Sequence, residues 1–330
     1  MVCPRTDTMW TGTLFALAAG LMWGLVFVGP LLLPEYPAAL QSFGRYLAFG
    51  LIALPLAWLD RATLRTLTRA DWIEAGKLAL VGNIVYYLFL ASAIQRAGGP
   101  LPTMIIGTLP VVIAISSNLR DHARDGRLRW RALAPSLLLI AAGIGCVNQA
   151  EIVALRADPR ADLERYAIGA ALAIGAVVCW TWYPLRNADW LRAHPGRPAR
   201  GWATAQGVAT LPLAALGFVL WWGWSATQGG DFALPFGPRP GFFLMLMFSI
   251  GLFASWLGTL CWNEASQRLP TTLAGQLIVF ETLSALAYAF MLRGRVPEPL
   301  TFAGIAMLVA GVAWALRARP QSLAVEGHAA

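Results

Sequence analysis

The chain has 330 residues, 58% hydrophobic and 13% charged, with a mean hydropathy of +0.59. That is too apolar for a water-soluble domain, where about 25% of residues are charged. The net charge of +8 is spread between apolar runs, so it reads as a topological signal and excludes nucleic acid as a partner. Four dispersed cysteines, without CxxC spacing or a nearby histidine, exclude disulfide and zinc frameworks.

Taken in order, the apolar runs are 10–33, 38–59, 71–94, 101–120, 131–149, 165–187, 202–226, 241–264, 271–292 and 299–317. Each is about 20 residues, enough to cross a ~30 Å hydrocarbon core as a helix. Helices are required because backbone polar groups in lipid must be satisfied internally, and a barrel would alternate in strands of about ten residues. The first run follows only Arg5 and exceeds a signal-peptide core, which predicts an uncleaved helix. With the amino terminus inside, sixteen basic residues fall on the cytoplasmic side and seven outside. The positive-inside rule then predicts a multi-pass inner-membrane protein with both termini cytoplasmic. Residues 320–330 read as a mobile cytoplasmic tail.

An internal repeat is legible. Ala91 to Arg96 read ASAIQR at the end of the third run, and Asn263 to Arg268 read NEASQR at the end of the eighth. Each precedes a proline-opened helix, through Pro100 and Pro102 or through Pro270, where the missing N–H is harmless. The helix after ASAIQR carries TLPVVIAI around Pro110. Its counterpart carries FETLSALA around Glu281, with one residue's difference in spacing. The expectation is a single membrane domain, 1–330, all-α, with ten transmembrane helices in two inverted five-helix repeats, 10–149 and 165–317. Inverted repeats meeting near the bilayer midplane recur in secondary transporters.

The chain resembles the drug/metabolite transporter superfamily, in particular its EamA-type members, over nearly its whole length. The residues that carry this are Trp23 and Gly24 in GLMWG, Tyr86 to Arg96 in YYLFLASAIQR, Pro110 in TLPVV, Trp180 in CWTWY, Trp262 and Asn263 in CWNEASQ, and the closing EPLTFAGIAMLVAGVAW. CWNEASQ together with ETLSALA is similar to the YddG-like aromatic amino-acid exporter branch. The resemblance implies a transporter, with no cofactor and a small-molecule substrate. Where the family pattern usually has a proline in the ninth helix, this chain has Glu281.

An ionisable group at that depth costs at least ~2.5 kcal/mol and is a functional candidate. Glu281 reads as a proton-coupling carboxylate, a counter-ion for a substrate ammonium, or a structural partner of a neighbouring helix; Gln276 extends its polar surface. Arg45 either pairs with Glu281, binds a substrate carboxylate, or snorkels to the surface. Lys77, the sole lysine, has Glu74 three residues back, a local pair. Glu264 and Arg268 stand four apart at the cytoplasmic edge, a surface ion pair or a gate. Asn83, Tyr86, Tyr87 and Asn263 form a second polar group, read as substrate contacts or as interhelical hydrogen bonds. Trp23, Trp180, Trp182 and Trp256 lie deep, lining a pocket or packing helices. Trp10, Trp58, Trp72, Trp130, Trp190, Trp202, Trp221, Trp222 and Trp224 fall near run ends, as an aromatic belt would. Gly20 and Gly24 make a GxxxG packing face.

These observations favour a secondary transporter that exports amino acids, aromatic first, or related metabolites by alternating access. The rival readings are lipophilic-cation efflux and a membrane-embedded lipid-modifying enzyme centred on Asp121, His122 and Asp125.

Overall fold

A computed structural model describes residues 6–97, 100–120, 130–156, 163–228, 232–294, 296 and 299–315. The described residues form helices and connecting turns, with no strand among them. In chain order the helices are α1 (Thr8–Leu32), α2 (Ala38–Leu59), α3 (Arg69–Ala97), α4 (Pro100–Ile106 and Leu109–Leu119), α5 (Trp130–Arg156), α6 (Leu163–Ala193), α7 (Ala199–Thr227), α8 (Pro240–Arg268), α9 (Thr271–Leu277 and Val279–Arg293) and α10 (Pro299–Ala315). Among the described residues, seven spans are long and apolar enough to cross a membrane, those of α1, α2, α3, α6, α7, α8 and α9. The described apolar parts of α4, α5 and α10 are shorter: Leu109–Leu119, Leu133–Cys146 and Pro299–Gly311. The 320–330 tail and the Asp121, His122 and Asp125 cluster lie outside the described residues.

Among the described residues, five helices depart from regular α geometry, α1 through a 3₁₀ turn at Leu25–Phe27. α3 and α8 each contain a π-helical segment, Ala79–Val85 and Gly251–Leu257. Such segments insert a residue and rotate the downstream part of the helix, frequently at functional sites. α4 breaks at Gly107 and Thr108 before Pro110, whose ring cannot continue the preceding turn. α9 breaks at Ile278, two residues before Phe280 and three before Glu281.

The bundle has an apolar core that also holds a group of polar residues, and an apolar exterior. Gln41, Arg45, Asn187, Gln206, Asn263 and Glu281 are buried, while Leu14, Leu51, Val178, Leu220, Met245 and Phe302 face outward. An apolar exterior of this extent suits hydrocarbon rather than water. The closest helix pairings are α5 with α10, α2 with α7, α3 with α6, α1 with α8 and with α9, and α4 with α9.

Polar ties close both ends. At one end Arg200 Nε donates to Asp60 Oδ1 at 2.8 Å and Thr204 Oγ1 to Asp60 Oδ2 at 2.9 Å. Trp190 Nε1 donates to Asp71 Oδ1 at 2.9 Å, Arg197 Nη2 to Thr66 O at 3.0 Å, and Arg120 pairs with Asp189. Lys77 lies 3.6 Å from Glu74 as the spacing predicts, but Glu74 also receives Arg186 from α6, a partner too distant in sequence to be read there. At the other end Arg239 joins Glu35, with Nε 2.7 Å from Oε1, and its backbone N–H donates to the Tyr36 hydroxyl at 2.7 Å.

The aromatic belt needs correction at three positions. Trp10, Trp58 and Trp224 are exposed, but Trp190, Trp202 and Trp221 are buried. Trp190 and Trp202 stack with ring centroids 3.4 Å apart, and Trp202 Nε1 donates to Asn187 Oδ1 at 2.9 Å. α6 and α7 extend beyond the apolar runs that define them in sequence, so residues counted as run ends sit inside the bundle.

Candidate functional site

Glycines set the depth of the central aromatics. A Cβ on Gly20 would lie 3.0 Å from Glu281 N, and one on Gly24 2.7 Å from Ser284 Cβ, so α1 meets α9 backbone to backbone. This close approach carries Trp23 into the centre. Its indole nitrogen lies 2.7 Å from where a Cβ on Gly258 would be, directly after the π segment of α8. On α3, Gly82 lies within the π segment, and the Tyr183 ring fills the space a Cβ would take.

The rings form one continuous group. Trp180 stands at its middle, stacked on Tyr86 with centroids 4.6 Å apart and on Tyr183 at 4.9 Å, and edge-on to Trp23 at 5.0 Å. Trp262 joins through Trp23 at 5.2 Å. Five rings from four helices thus meet in one place, each pair within the range where quadrupoles favour stacked or tilted contact.

Two buried ionisable groups border the rings. Glu281 is 1% exposed and occupies the first turn of the second part of α9, where the positive end of the helix dipole favours a carboxylate. The Trp180 indole approaches it without completing a well-formed hydrogen bond, and Glu281 Oε2 has no partner. Arg45 on α2 is 4% exposed, so it does not snorkel. Its Nε donates to Ser255 Oγ at 3.0 Å, and its guanidinium lies over the rings of Tyr87 and Tyr46, 4.6 and 4.8 Å from their centroids. No ion pair joins Arg45 to Glu281, although each lies in the other's field. Opposite charges held apart in a low-dielectric interior leave each with an unmet demand for a partner. Arg45 Nη1, the Tyr86 hydroxyl, Trp180 Nε1 and Trp262 Nε1 are likewise buried without partners.

The other expected site residues fall around this centre. Tyr87 donates from its hydroxyl to Val26 O at 3.2 Å. Asn83 donates to Thr210 Oγ1 at 3.1 Å. Asn263 accepts from Asn187 Nδ2 at 2.9 Å and donates to Ala199 O at 3.3 Å, which commits it to joining α6, α7 and α8. Gln276 is 1% exposed, and both its amide atoms lack partners. Glu264 and Arg268 pair at the partly exposed end of α8, away from the rings, and the Arg268 guanidinium lies 5.1 Å from the centre of the Phe15 ring. Reading the sequence alone missed Tyr183, Trp262, Ser255 and the Asn187–Gln206 pair as neighbours of the site. Tyr183 had a signal, since it lies three residues from Trp180 on one helix face. Ser255 had none.

An apolar-faced helical bundle with spans of membrane length and a buried charged centre is a multi-pass membrane protein. Residues 10–147 match the model of the EamA-like transporter family. The chain is 56% identical over 313 residues to "Inner membrane protein YtfF" of Escherichia coli (strain K12), covering 95% of this chain and 97% of that protein. The protein belongs to the EamA-like transporter family and is a membrane transporter. A solved structure titled "Crystal structure of protein" shares the fold, with a TM-score of 0.67 at 18% identity, covering 92% of this chain and 96% of the other.

Proposed function

We propose that the protein is a secondary transporter that exports amino acids, aromatic first, or related small metabolites across the inner membrane by alternating access between two inverted five-helix halves. The observation that carries the substrate reading is that Glu281 and Arg45 stand at the edge of one aromatic group, each with an unpartnered atom and not bonded to one another. An α-amino acid presents an ammonium and a carboxylate a few ångströms apart. Glu281 Oε2 is an acceptor for the first and Arg45 Nη1 a donor for the second, while the ring group of Trp23, Trp180 and Tyr86 would flank an aromatic side chain.

Support for the two halves comes from register and packing. Ala79 and Gly251 open the π segments of α3 and α8 and stand 172 residues apart, the same interval that separates Ala91 from Asn263 in the repeated motif. The breaks in α4 and α9 occur in corresponding positions. Exchanging α1–α5 for α6–α10 maps the pairings α2 with α7, α4 with α9 and α5 with α10 onto themselves, and α3 with α6 onto α1 with α8. Interrupted helices in matching positions are where transporters of this architecture build their sites. On this reading α4, α5 and α10 also cross, making ten spans. The sixteen-to-seven bias of basic residues supports the reading with both termini in the cytoplasm.

A lipophilic-cation substrate would use Glu281 and the tryptophans but would meet Arg45 as a like charge. The test is efflux of labelled amino acids from proteoliposomes, with and without a pH gradient, for wild type and Glu281→Gln. The expected result is aromatic amino-acid efflux that the substitution abolishes. Efflux unchanged in rate and pH dependence by Glu281→Gln removes that residue from the cycle, and efflux of aromatic cations alone replaces the substrate class.

A further inference from the structure

α4 and α9, which pack on one another, carry a second group of buried polar atoms without partners. Asn118 and Gln276 are each 1% exposed, and all four of their amide atoms lack hydrogen-bond partners. Ser117 Oγ and Thr272 Oγ1 meet between the same two helices at 3.2 Å. The helices run antiparallel here, since Thr272 meets Ser117 while Gly275 lies against Ile113, with only 2.6 Å from a Cβ on Gly275 to Ile113 Cγ2. Gln276 is one turn along α9 from Thr272 and therefore shares its face. The polar seam starts beside the α8–α9 turn and ends just before the break at Ile278, with Glu281 in the next turn.

The unmet groups define what fills the seam. Two are N–H donors and two are carbonyl acceptors. A cation would satisfy only the oxygens, and an anion only the nitrogens. Water satisfies both, and buried waters characteristically occupy such sites with two to four polar partners each. Left dry, all four groups would forgo the hydrogen bonds they make in water.

We infer that the α4–α9 seam holds a short chain of ordered water that gives Glu281 proton access from the Pro270 end of the bundle. This rests on the transporter reading above and takes, of the sequence's alternatives for Glu281, the proton-coupling carboxylate. The charged and titratable groups that act on Glu281 are Arg45 on α2 and Tyr86 on α3. α1, the described part of α4 and α10 contribute none. On α6, Tyr183 is bonded to Gln206, Arg186 to Glu74 and Asp189 to Arg120, and on α8 Glu264 is paired with Arg268. At the mouth of the seam Arg192 of α6 donates to Leu269 O at 3.3 Å, and beyond that turn the seam reaches Glu281 past uncharged groups.

Two measurements test this. Radiolytic hydroxyl labelling of the wild-type chain in nanodiscs compares Ile113 and Leu277, which flank the seam, with Leu90, all three fully buried. Labelling of Ile113 and Leu277 several-fold above Leu90 is expected; equal rates overturn the water chain. Infrared hydrogen–deuterium exchange of the Glu281 carboxyl, its band identified by loss in Glu281→Gln, is then followed in Asn118→Leu and Gln276→Leu. Several-fold slower exchange is expected, and an unchanged rate or no Glu281 band overturns the proton route. A labelled seam and slowed exchange in a protein that moves no amino acid would sink the exporter reading and leave the seam standing.

Discussion

Glu35 and Arg239 form a charge pair at one end of the bundle where both side chains reach solvent. Burial is the largest single influence and works against the Glu35 charge, but its own backbone N–H and the Arg239 guanidinium together outweigh it and hold the carboxyl below its ordinary value of 4.5. A depressed acid stabilises the fold above its unfolded value and loses that contribution as pH falls through the folded value. Both side chains are about a third or more exposed, so the pair stays within the ~0–1 kcal/mol of surface ion pairs. Glu35→Gln should therefore lower the melting temperature slightly at neutral pH, with the gap closing below pH 4.5. A gap that persists in acid would assign the effect to packing. Glu281 differs in kind: its cost was legible from the sequence because a carboxylate inside an apolar run is anomalous wherever the helix points. Arg45 was legible only as one of three alternatives, because which face of α2 turns inward depends on α8, some 200 residues away.

At the scale of the element, the two π segments organise the site and were invisible in the sequence. Neither ALVGNIV nor GLFASWL carries a proline or a charge to mark it. What could be read was their glycines, and these proved to be contact points. Gly82→Ala should destabilise by about 1–3 kcal/mol through overpacking against Tyr183. Gly76→Ala, two turns earlier on the same helix and with nothing within 4 Å of its Cβ, should be neutral or stabilising by up to ~1 kcal/mol. Thermal unfolding in detergent compares the two. Equal effects would mean that helix propensity rather than ring contact governs α3. The aromatic belt failed at Trp190 and Trp202 for a related reason: depth along a helix was inferred from where hydropathy fades, and buried polar partners such as Asp71 and Asn187 make it fade early.

For the whole molecule, the runs and their positions were legible because the bilayer imposes one length on every span, whereas helix pairing is set by side-chain fit. The resulting arrangement ties the first half to the second at one end through Asp60, Asp71, Glu74 and Asp189. If the halves rock against each other, these ties must open in every cycle. A cysteine-free background carrying Asp60→Cys and Arg200→Cys, bridged by a cleavable bifunctional thiol reagent, should lose flux on bridging and regain it on cleavage. Flux that continues through the bridged protein would place the moving boundary elsewhere.

The face-to-face indoles of Trp190 and Trp202 also give the protein an optical signature. Two identical chromophores 3.4 Å apart share their excitation, so the pair absorbs as a coupled exciton rather than as two separate tryptophans. Asp71 anchors one ring from across the bundle and Asn187 the other. On the proposed cycle that end opens and Asp71 withdraws, which would weaken the coupling and make the pair an unlabelled circular-dichroism reporter of which way the chain faces.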